Sequence, residues 1–326
     1  MDEFTKNIKK NTGILLARNN PVALVVGASG FLGSHIADKL LSKNIQVVGV
    51  IEDGYGKKEN LSNATGNKNF HQITDYSLES DLGLERLDYL IIVPHRNFQI
   101  SKTLKLFKEY KCRLLLISSV VLYSEKNNQN LRWLKLIESE VARSAQDDHL
   151  NARILRLGSV YGARMDFNKE FGELDPVAYL IAQSLKGELQ REISLEFSSR
   201  ALYIDDAVNL AVKCIFAGAT AQKIFDGVLS SPIKVSEIKQ VLLDPLWHEN
   251  RDFIPQELPP WPTPNLERTI NFLNWHPGSK LVENLRKTLA YFKDNEIEIP
   301  EVADREVKEE DGKAEEEKWK EEKQKD

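Results

Sequence analysis

The chain has 326 residues, 41% of them hydrophobic, and a formal net charge of -5 at pH 7. That length allows one large buried core, or one core with a smaller satellite domain. The acidic balance argues against a nucleic-acid-binding protein, because such proteins concentrate Lys and Arg to neutralise phosphates. The sequence contains neither a run near the roughly 20 apolar residues that span a bilayer nor a signal-peptide pattern. We therefore expect a cytoplasmic protein without a membrane partner.

Cysteines and histidines give no sign of a disulfide or a metal centre. Cys112 and Cys214 lie far apart in the chain and match neither a disulfide framework nor a zinc spacing. We expect both to be reduced core residues. The six histidines are dispersed and lack the spacing of metal ligands, so no bound metal is expected.

Hydrophobic periodicity predicts alternating strands and helices in the first half of the chain. Residues 22–26 are apolar and rich in β-branched side chains, as in a buried parallel strand, and residues 31–41 repeat apolar side chains at helical spacing. Further strands are predicted at 45–51, 89–93, 113–118 and 152–157, and further helices at 101–110 and 131–145. This alternation predicts an α/β fold with a Rossmann-type, doubly wound parallel sheet.

The pattern loosens after residue 161, where we expect a smaller, mixed C-terminal region. Helices are predicted at 176–185, 204–217 and 281–292, and a proline-rich connector at 255–264. Residues 1–20 are interpreted as an N-terminal extension. Residues 294–326 are interpreted as a charged tail, because Glu and Lys dominate from residue 301 onward.

The segment Gly-Ala-Ser-Gly-Phe-Leu-Gly at residues 27–33 directly follows the first strand and opens the first helix. Its glycines permit, in turn, a sharp exit from the strand, close approach of backbone amides to a pyrophosphate, and tight packing of helix on strand. The helix N-terminus adds unpaired amides and positive potential. We therefore predict a dinucleotide site with contacts from Gly27, Ser29, Gly30, Phe31, Leu32 and Gly33.

Two acids end the second predicted strand, roughly 20 residues after the glycines, where a dinucleotide fold places the carboxylate that binds the adenosine ribose. Glu52 and Asp53 are these acids. A carboxylate that accepts from both ribose hydroxyls repels a 2'-phosphate, which favours NAD over NADP. Lys57 and Lys58 could accommodate that phosphate instead, and a solvated turn is the plainer interpretation of the two acids.

The G-x-x-G-x-x-G spacing of residues 27–33 resembles that of the extended short-chain dehydrogenase/reductases, a family of nucleotide-sugar epimerases, dehydratases and decarboxylases. Further segments are similar in the same order, namely 56–61, 73–75, 118–123, 156–166, 200–206, 273–277 and 281–292. Segment 156–166 most resembles UDP-glucuronate decarboxylases. The resemblance covers residues 20–293 and implies NAD as cofactor, a nucleotide sugar as ligand, with a UDP-sugar favoured, and a homodimer.

The resemblance also implies roles for individual residues. Asp75 matches the acidic contact to the adenine, and Ser119 matches the catalytic serine or threonine. Substrate contacts are implied for Tyr123, Ser159, Arg164 and Arg200. Ser159 departs from the family, which has an asparagine at that place. On these grounds we divide the chain into an NAD-binding Rossmann domain, 21–160, and a mainly substrate-binding region, 161–293, that returns in part to the Rossmann sheet.

The chain lacks the tyrosine on which the family's redox chemistry depends. In active members a tyrosine and a lysine four residues apart on one helix face the nicotinamide, and the tyrosine acts as general base. Aligning Lys135 with the family lysine puts Leu131 at the tyrosine position, whereas aligning Glu140 with the family glutamate puts Arg132 and Leu136 at the two positions. Neither alignment restores the tyrosine, and Lys135 is the one catalytic candidate left on this helix.

Three functions follow from these observations. The favoured one is an NAD-binding relative of the nucleotide-sugar epimerases and dehydratases that lacks tyrosine-dependent catalysis and serves as a sensor, a scaffold or the inactive partner of an active paralogue. The alternative is an active epimerase, dehydratase or decarboxylase in which Tyr123 or His95 substitutes as base, although His95 is more simply an exposed loop histidine. An RNA-associated protein is disfavoured by the acidic balance.

Overall fold

The computed structural model describes residues 20–52, 54–73, 82, 84–95, 98–123, 132–167, 176–189, 198–218, 223–243, 263–278, 280–297 and 299. Asp53, Asp75 and Leu131 lie outside these residues, as do nearly all of the predicted extension, connector and tail.

Strands and helices alternate through most of the described chain. The strands are β1 (Val22–Val26), β2 (Gln46–Val50), β3 (Phe70–Ile73), β4 (Tyr89–Ile92), β5 (Arg113–Ser119), β6 (Ala152–Leu157), β7 (Val160–Tyr161), β8 (Ser198–Ser199), β9 (Leu202–Tyr203), β10 (Ile224–Gly227) and β11 (Ile233–Lys234). The α-helices are α1 (Phe31–Ser42), α2 (Ile100–Tyr110), α3 (Arg132–Asp147), α4 (Pro176–Lys186), α5 (Ile204–Phe216), α6 (Val235–Leu243), α7 (Leu266–Leu273) and α8 (Leu281–Asp294). Short 3-10 turns cover Lys58–Leu61 and Val120–Tyr123.

Seven of the strands form one parallel sheet in the order β10-β6-β5-β4-β1-β2-β3. The strand order reverses between β1 and β4, and the crevice at the carboxyl ends of those strands is where such sheets bind ligands. The predicted Rossmann-type, doubly wound fold is confirmed, and two strands of the sheet, β3 and β10, are additions to the predicted set.

Both faces of the sheet are covered by helices, so the strands are buried on both sides. Ala23 and Val25 of β1 pack in one core with α1 and α5, whereas Val22, Leu24 and Val26 pack in another core with α2 and α3. Burial on two faces explains why β1 is a continuous apolar run rather than an alternating one. Cys214 and Cys112 are free and buried in these cores, as predicted, and burial raises the pKa of each thiol to about 12.

A third core holds the smaller C-terminal region together. It combines apolar residues of α4, α6 and α8 with the segment that follows β7, including Met165 and Phe167. Between these helices the chain returns to the large sheet, because α5 packs on it and β10 extends it beside β6. The boundaries of the two predicted domains stay a prediction.

None of the helices in the described part of the chain combines the length and the apolar character needed to cross a membrane.

The turn from β1 into α1 is too tight for side chains at two glycines. Gly27 has φ +77°, a left-handed conformation that favours glycine, and a Cβ there would lie 2.5 Å from the carbonyl oxygen of Val93. A Cβ at Gly33 would collide with the carbonyl oxygen of Gly27. This close approach fixes the N-terminus of α1 against the carboxyl end of β1.

We predict that Gly33→Ala lowers the free energy of unfolding by about 3 kcal/mol. The better helix propensity of alanine returns only about 1 kcal/mol, and the backbone oxygen of Gly27 cannot move aside as a flexible side chain would. Thermal and urea unfolding measure the change. The matched variant is Gly218→Ala, because no described atom lies within 4 Å of a Cβ at Gly218; it should change stability by less than about 0.5 kcal/mol. Equal effects of the two variants would contradict the prediction.

Candidate dinucleotide and substrate site

Several of the predicted cofactor residues and Ser119 lie at the carboxyl edge of the large sheet. The glycine loop follows β1, Glu52 follows β2, His95 follows β4, and Ser119 ends β5. Because these strands are parallel and adjacent, their ends border one crevice. The sheet thus brings together residues as distant in sequence as Gly27 and Ser119, which are 92 positions apart (119 minus 27).

The glycine loop presents backbone to the crevice. Gly30 is the N-cap of α1, with φ -75° and ψ 173°, and makes no side-chain cap. The first amides of a helix have no partner within it, so this end offers donors and positive potential to an anion. Ser29 is buried, and its hydroxyl donates to the carbonyl of Tyr55 at 3.0 Å. Phe31 and Leu32 are half-buried at the start of the helix.

Glu52, predicted to bind a ribose, lies next to His95. The His95 Nε2 atom and the Glu52 Oε2 atom are 2.8 Å apart, and the side chains are 13% and 22% exposed. His95 also stacks on Tyr55, with ring centroids 4.5 Å apart and planes at 19°. The interpretation of His95 as an exposed loop residue is therefore wrong. The ribose role of Glu52 stays a prediction.

Tyr55 covers the glycine loop. A Cβ on Gly30 would lie 2.6 Å from the Tyr55 hydroxyl and 2.9 Å from two of its ring carbons. The phenol therefore stands in front of the backbone that a pyrophosphate would approach. No family motif marks Tyr55 as a site residue; its one signal in the sequence is its place between Gly54 and Gly56.

The predicted catalytic residues Ser119 and Lys135 lie at the end of β5 and on α3. Ser119 is half-buried, and its hydroxyl accepts a hydrogen bond from the amide of Val121 at 3.2 Å. On α3 the side chain of Lys135 is exposed, and Leu136 is 59% exposed. Leu134 is buried in the core. The catalytic roles of Ser119 and Lys135 stay predictions.

The buried acid of α3 is Glu138 rather than Glu140. Glu138 makes two hydrogen bonds with the guanidinium of Arg156 on β6, at 2.9 and 2.6 Å, whereas Glu140 pairs with Arg143 at the surface. An alignment anchored on Glu138 would put Leu134 at the family's lysine position. This third alignment also yields no catalytic pair.

Tyr123 belongs to a buried polar cluster, the Tyr123 cluster, made of Tyr123, Glu138, Arg156, Asp226 and Asn265. The Tyr123 hydroxyl donates to Asp226 Oδ1 at 2.9 Å and accepts from the Asn265 side-chain amide at 2.8 Å. The guanidinium of Arg156 lies 4.4 Å from the centre of the Tyr123 ring. Asp226 is fully buried, and its second oxygen accepts from the Asn265 backbone amide at 2.9 Å.

These contacts make Tyr123 a poor general base. Burial raises the pKa of Tyr123, and the neighbouring Asp226 carboxylate raises it further, so the phenolate is harder to form. Burial likewise raises the pKa of Asp226. A base must also reach the proton that it removes, whereas this hydroxyl is held by Asp226 and Asn265. The sequence gives one signal for the cluster, an acid inside the otherwise apolar run at residues 224–227.

The remaining predicted substrate contacts come from residues that follow β6 in the chain. Arg164 is paired with Asp38 of α1 at 2.9 Å and its side chain is 6% exposed. Arg200 donates to the carbonyls of Leu229 and Ser230 at 3.2 and 3.3 Å. Ser159 is half-buried just before β7. The substrate roles of all three stay predictions.

Within the described ranges, His, Cys, Asp and Glu side chains form no group of three or more that could hold a metal ion.

We predict that Tyr123→Phe lowers the free energy of unfolding by about 1 to 2 kcal/mol, because Asp226 and Asn265 each lose a buried hydrogen-bond partner. Chemical denaturation measures the change. Tyr89→Phe removes a phenol hydroxyl at the start of β4, away from the cluster, and should change stability by less than about 0.5 kcal/mol. An unchanged stability of Tyr123→Phe would show that the hydroxyl is not structural and would reopen its candidacy as a base.

Known proteins match this chain by sequence and by fold. A family model described as "NAD dependent epimerase/dehydratase family" matches residues 23–93, which include the glycine loop. UDP-glucuronic acid decarboxylase 1 of Danio rerio is 25% identical over 314 residues, covering 82% of this chain and 72% of the relative. UDP-glucuronic acid decarboxylase 3 of Arabidopsis thaliana is 26% identical over 306 residues, covering 80% of this chain and 86% of the relative.

Solved structures share the fold. UDP-glucose 4-epimerase from Thermotoga maritima, solved with UDP-glucose, matches with a TM-score of 0.65 at 21% identity, covering 85% of this chain and 100% of that one. UDP-glucuronic acid 4-epimerase from Bacillus cereus, solved with NAD, matches with a TM-score of 0.67 at 19% identity, covering 84% and 99%. The ordered motifs and these matches make the chain similar to the NAD-dependent epimerase/dehydratase family, by sequence in residues 23–93 and to the decarboxylase relatives over most of its length.

Proposed function

We propose that this protein binds NAD along the glycine loop and a nucleotide sugar, a UDP-sugar, in the adjoining cleft, without performing the family's tyrosine-dependent redox step. The observation that carries the proposal is the contrast between the two sides of the crevice. The backbone that would cradle a pyrophosphate is complete, whereas the sequence has no tyrosine between Tyr123 and Tyr161, the stretch that contains α3.

The glycine loop fits a dinucleotide by its backbone. Gly27 and Gly33 leave no room for a Cβ, and the N-terminus of α1 points its first amides to the crevice without a side-chain cap. Glu52 would accept from the ribose hydroxyls, which favours NAD over NADP. When bound there, NAD would supply a hydride acceptor beside the sugar. Solved relatives with NAD support the choice of cofactor.

A nucleotide sugar is the ligand class that the relatives support. The decarboxylase relatives are named for UDP-glucuronic acid, and one structural neighbour was solved with UDP-glucose. In this chain Arg200 would contact the diphosphate, and its guanidinium lies beside the loop after β10. Ser159 stands in the place of the family's substrate-contacting asparagine.

The absence of the general base argues against classical turnover, since such a base contributes about 10²- to 10⁴-fold to the rate. Both substitute bases are engaged elsewhere. Tyr123 is held by Asp226 and Asn265, and His95 by Glu52. A protein that keeps its ligand sites but not its base would serve as a sensor, a scaffold or the inactive partner of an active paralogue, as a homodimer or a heteromer in the cytoplasm.

Binding of NAD is the first test. We expect calorimetric titration of the cofactor-stripped full chain to give saturable binding of NAD and NADH and weaker binding of NADP. Gly30→Ala should weaken NAD binding by about tenfold or more, because its Cβ enters the space of the pyrophosphate. The φ of -75° suits alanine, but the new Cβ would lie 2.6 Å from the Tyr55 hydroxyl, so the Tyr55 side chain must move and thermal unfolding has to verify that the variant is folded. The proposal is refuted if NAD and NADH bind neither to the parent protein nor to a variant that lacks the Tyr55 ring over Gly30.

Turnover is the second test. With NAD and UDP-glucuronic acid or UDP-glucose, we expect product formation at least about 100-fold slower than that of an intact decarboxylase relative assayed beside it. Nuclear magnetic resonance of the sugar detects decarboxylation and epimerisation alike. Turnover equal to that of the relative would establish an active enzyme, and loss of that turnover in Tyr123→Phe or His95→Ala would then identify the substitute base.

A further inference from the structure

The crevice between β1 and β4 is bridged by two stacked rings. Tyr55 comes from the loop after β2 and His95 from the segment after β4, so they arrive from opposite sides of β1. A dinucleotide in such a sheet lies across this same crevice, with its pyrophosphate over the glycine loop. Because the Tyr55 hydroxyl lies 2.6 Å and two of its ring carbons lie 2.9 Å from a Cβ position on Gly30, the ring and a pyrophosphate over the glycine loop would exclude each other.

We propose that Tyr55 is a gate that closes the dinucleotide site, latched by its stacking on His95 and by the contact of His95 with Glu52. The proposal rests on the proposed function, since the gate controls access of NAD to the glycine loop. The affinity for NAD and the rate at which NAD enters the site are then set by Tyr55, His95 and Glu52.

The latch is held at several points. The His95 ring stacks on Tyr55 at 4.5 Å and meets the edge of Phe98 at 6.3 Å between centroids, while its Nε2 atom lies 2.8 Å from Glu52. Phe98 is buried, so one side of the latch is anchored in the core. An aromatic pair with a polar contact at one ring favours the closed arrangement over an open one.

The backbone on either side of Tyr55 is held in place, so the ring can leave only by a movement of the side chain. Gly54 and Gly56 have φ +76° and +70°, conformations that glycine adopts without strain. Gly54 is exposed, whereas Gly56 packs against Ser29 and the amide of Lys57 donates to the Ser29 carbonyl at 3.0 Å. The backbone of Tyr55 is itself held, because its amide donates to the Glu52 carbonyl at 3.2 Å and its carbonyl accepts from the Ser29 hydroxyl at 3.0 Å. The gate therefore opens by rotation of the Tyr55 side chain about its own bonds.

The gate has a kinetic and an equilibrium consequence. A closed population reduces the apparent affinity in proportion to the fraction of molecules that is open. Removal of the ring by Tyr55→Ala should tighten NAD binding by about tenfold. Tyr55→Phe, which keeps the ring, should stay near the parent, and His95→Ala, which removes the latch, should lie between the parent and Tyr55→Ala.

Calorimetry of NAD and stopped-flow fluorescence of NADH on the full chain test the gate. In the parent protein the observed binding rate should level off with rising NADH concentration, because opening limits entry, whereas in Tyr55→Ala it should rise linearly. Thermal unfolding verifies that each variant is folded, and Tyr55→Phe and His95→Ala keep the test decisive if Tyr55→Ala is unstable.

Each outcome has one meaning. If Tyr55→Ala binds as the parent does, or more weakly, the gate is wrong while the proposed NAD site stands, and weaker binding would make Tyr55 part of that site. If only Tyr55→Ala and His95→Ala bind, the gate is established and the parent is closed. If neither the parent nor any variant binds NAD, the proposed function fails and the gate fails with it.

Discussion

The contact between Gly27 and Gly33 is the constraint on which the site depends. Without side chains at these two positions, α1 starts directly against the end of β1, and its first amides face the crevice where the strand order reverses. The same contact fixes α1 against the sheet, and α1 in turn supports the C-terminal region through the ion pair of Asp38 with Arg164. A change at the glycine loop would therefore alter both the predicted cofactor site and the contact between α1 and the C-terminal region.

Across the crevice, the buried polar side chains of the Tyr123 cluster stabilise the fold. They do so in the region where active members of the family carry out catalysis. The Tyr123 cluster joins the end of β5, the helix α3, the strand β6 and the strand β10 through charge-assisted and neutral hydrogen bonds. Buried polar groups are costly unless each finds a partner, and here Asp226 is satisfied from both of its oxygens. The Tyr123 hydroxyl is thus held between Asp226 and Asn265 and contributes to the cohesion of the fold.

Local patterns of sequence predict the elements whose burial is uniform and miss strands that carry polar residues. Strand β1 and helix α1 follow from an apolar run and a glycine spacing. Strand β3 escapes because it is a half-exposed edge strand with His71 and Gln72, and β10 because Asp226 lies inside it. The glycine loop is likewise a local signal, whereas the cover of Gly30 by Tyr55 arises from a contact between residues 25 positions apart (55 minus 30).

Glu52 connects the closed arrangement with the ligand that would open it. In the proposed complex its carboxylate accepts from the ribose hydroxyls, whereas here one of its oxygens lies 2.8 Å from His95. Both arrangements use the same carboxylate lone pairs of Glu52, whose side chain is 22% exposed. Each ribose hydroxyl bound there weakens the hold on His95 and so on the Tyr55 ring. Cofactor binding and gate opening are then one coupled equilibrium, in which the ligand replaces the contact that excludes it.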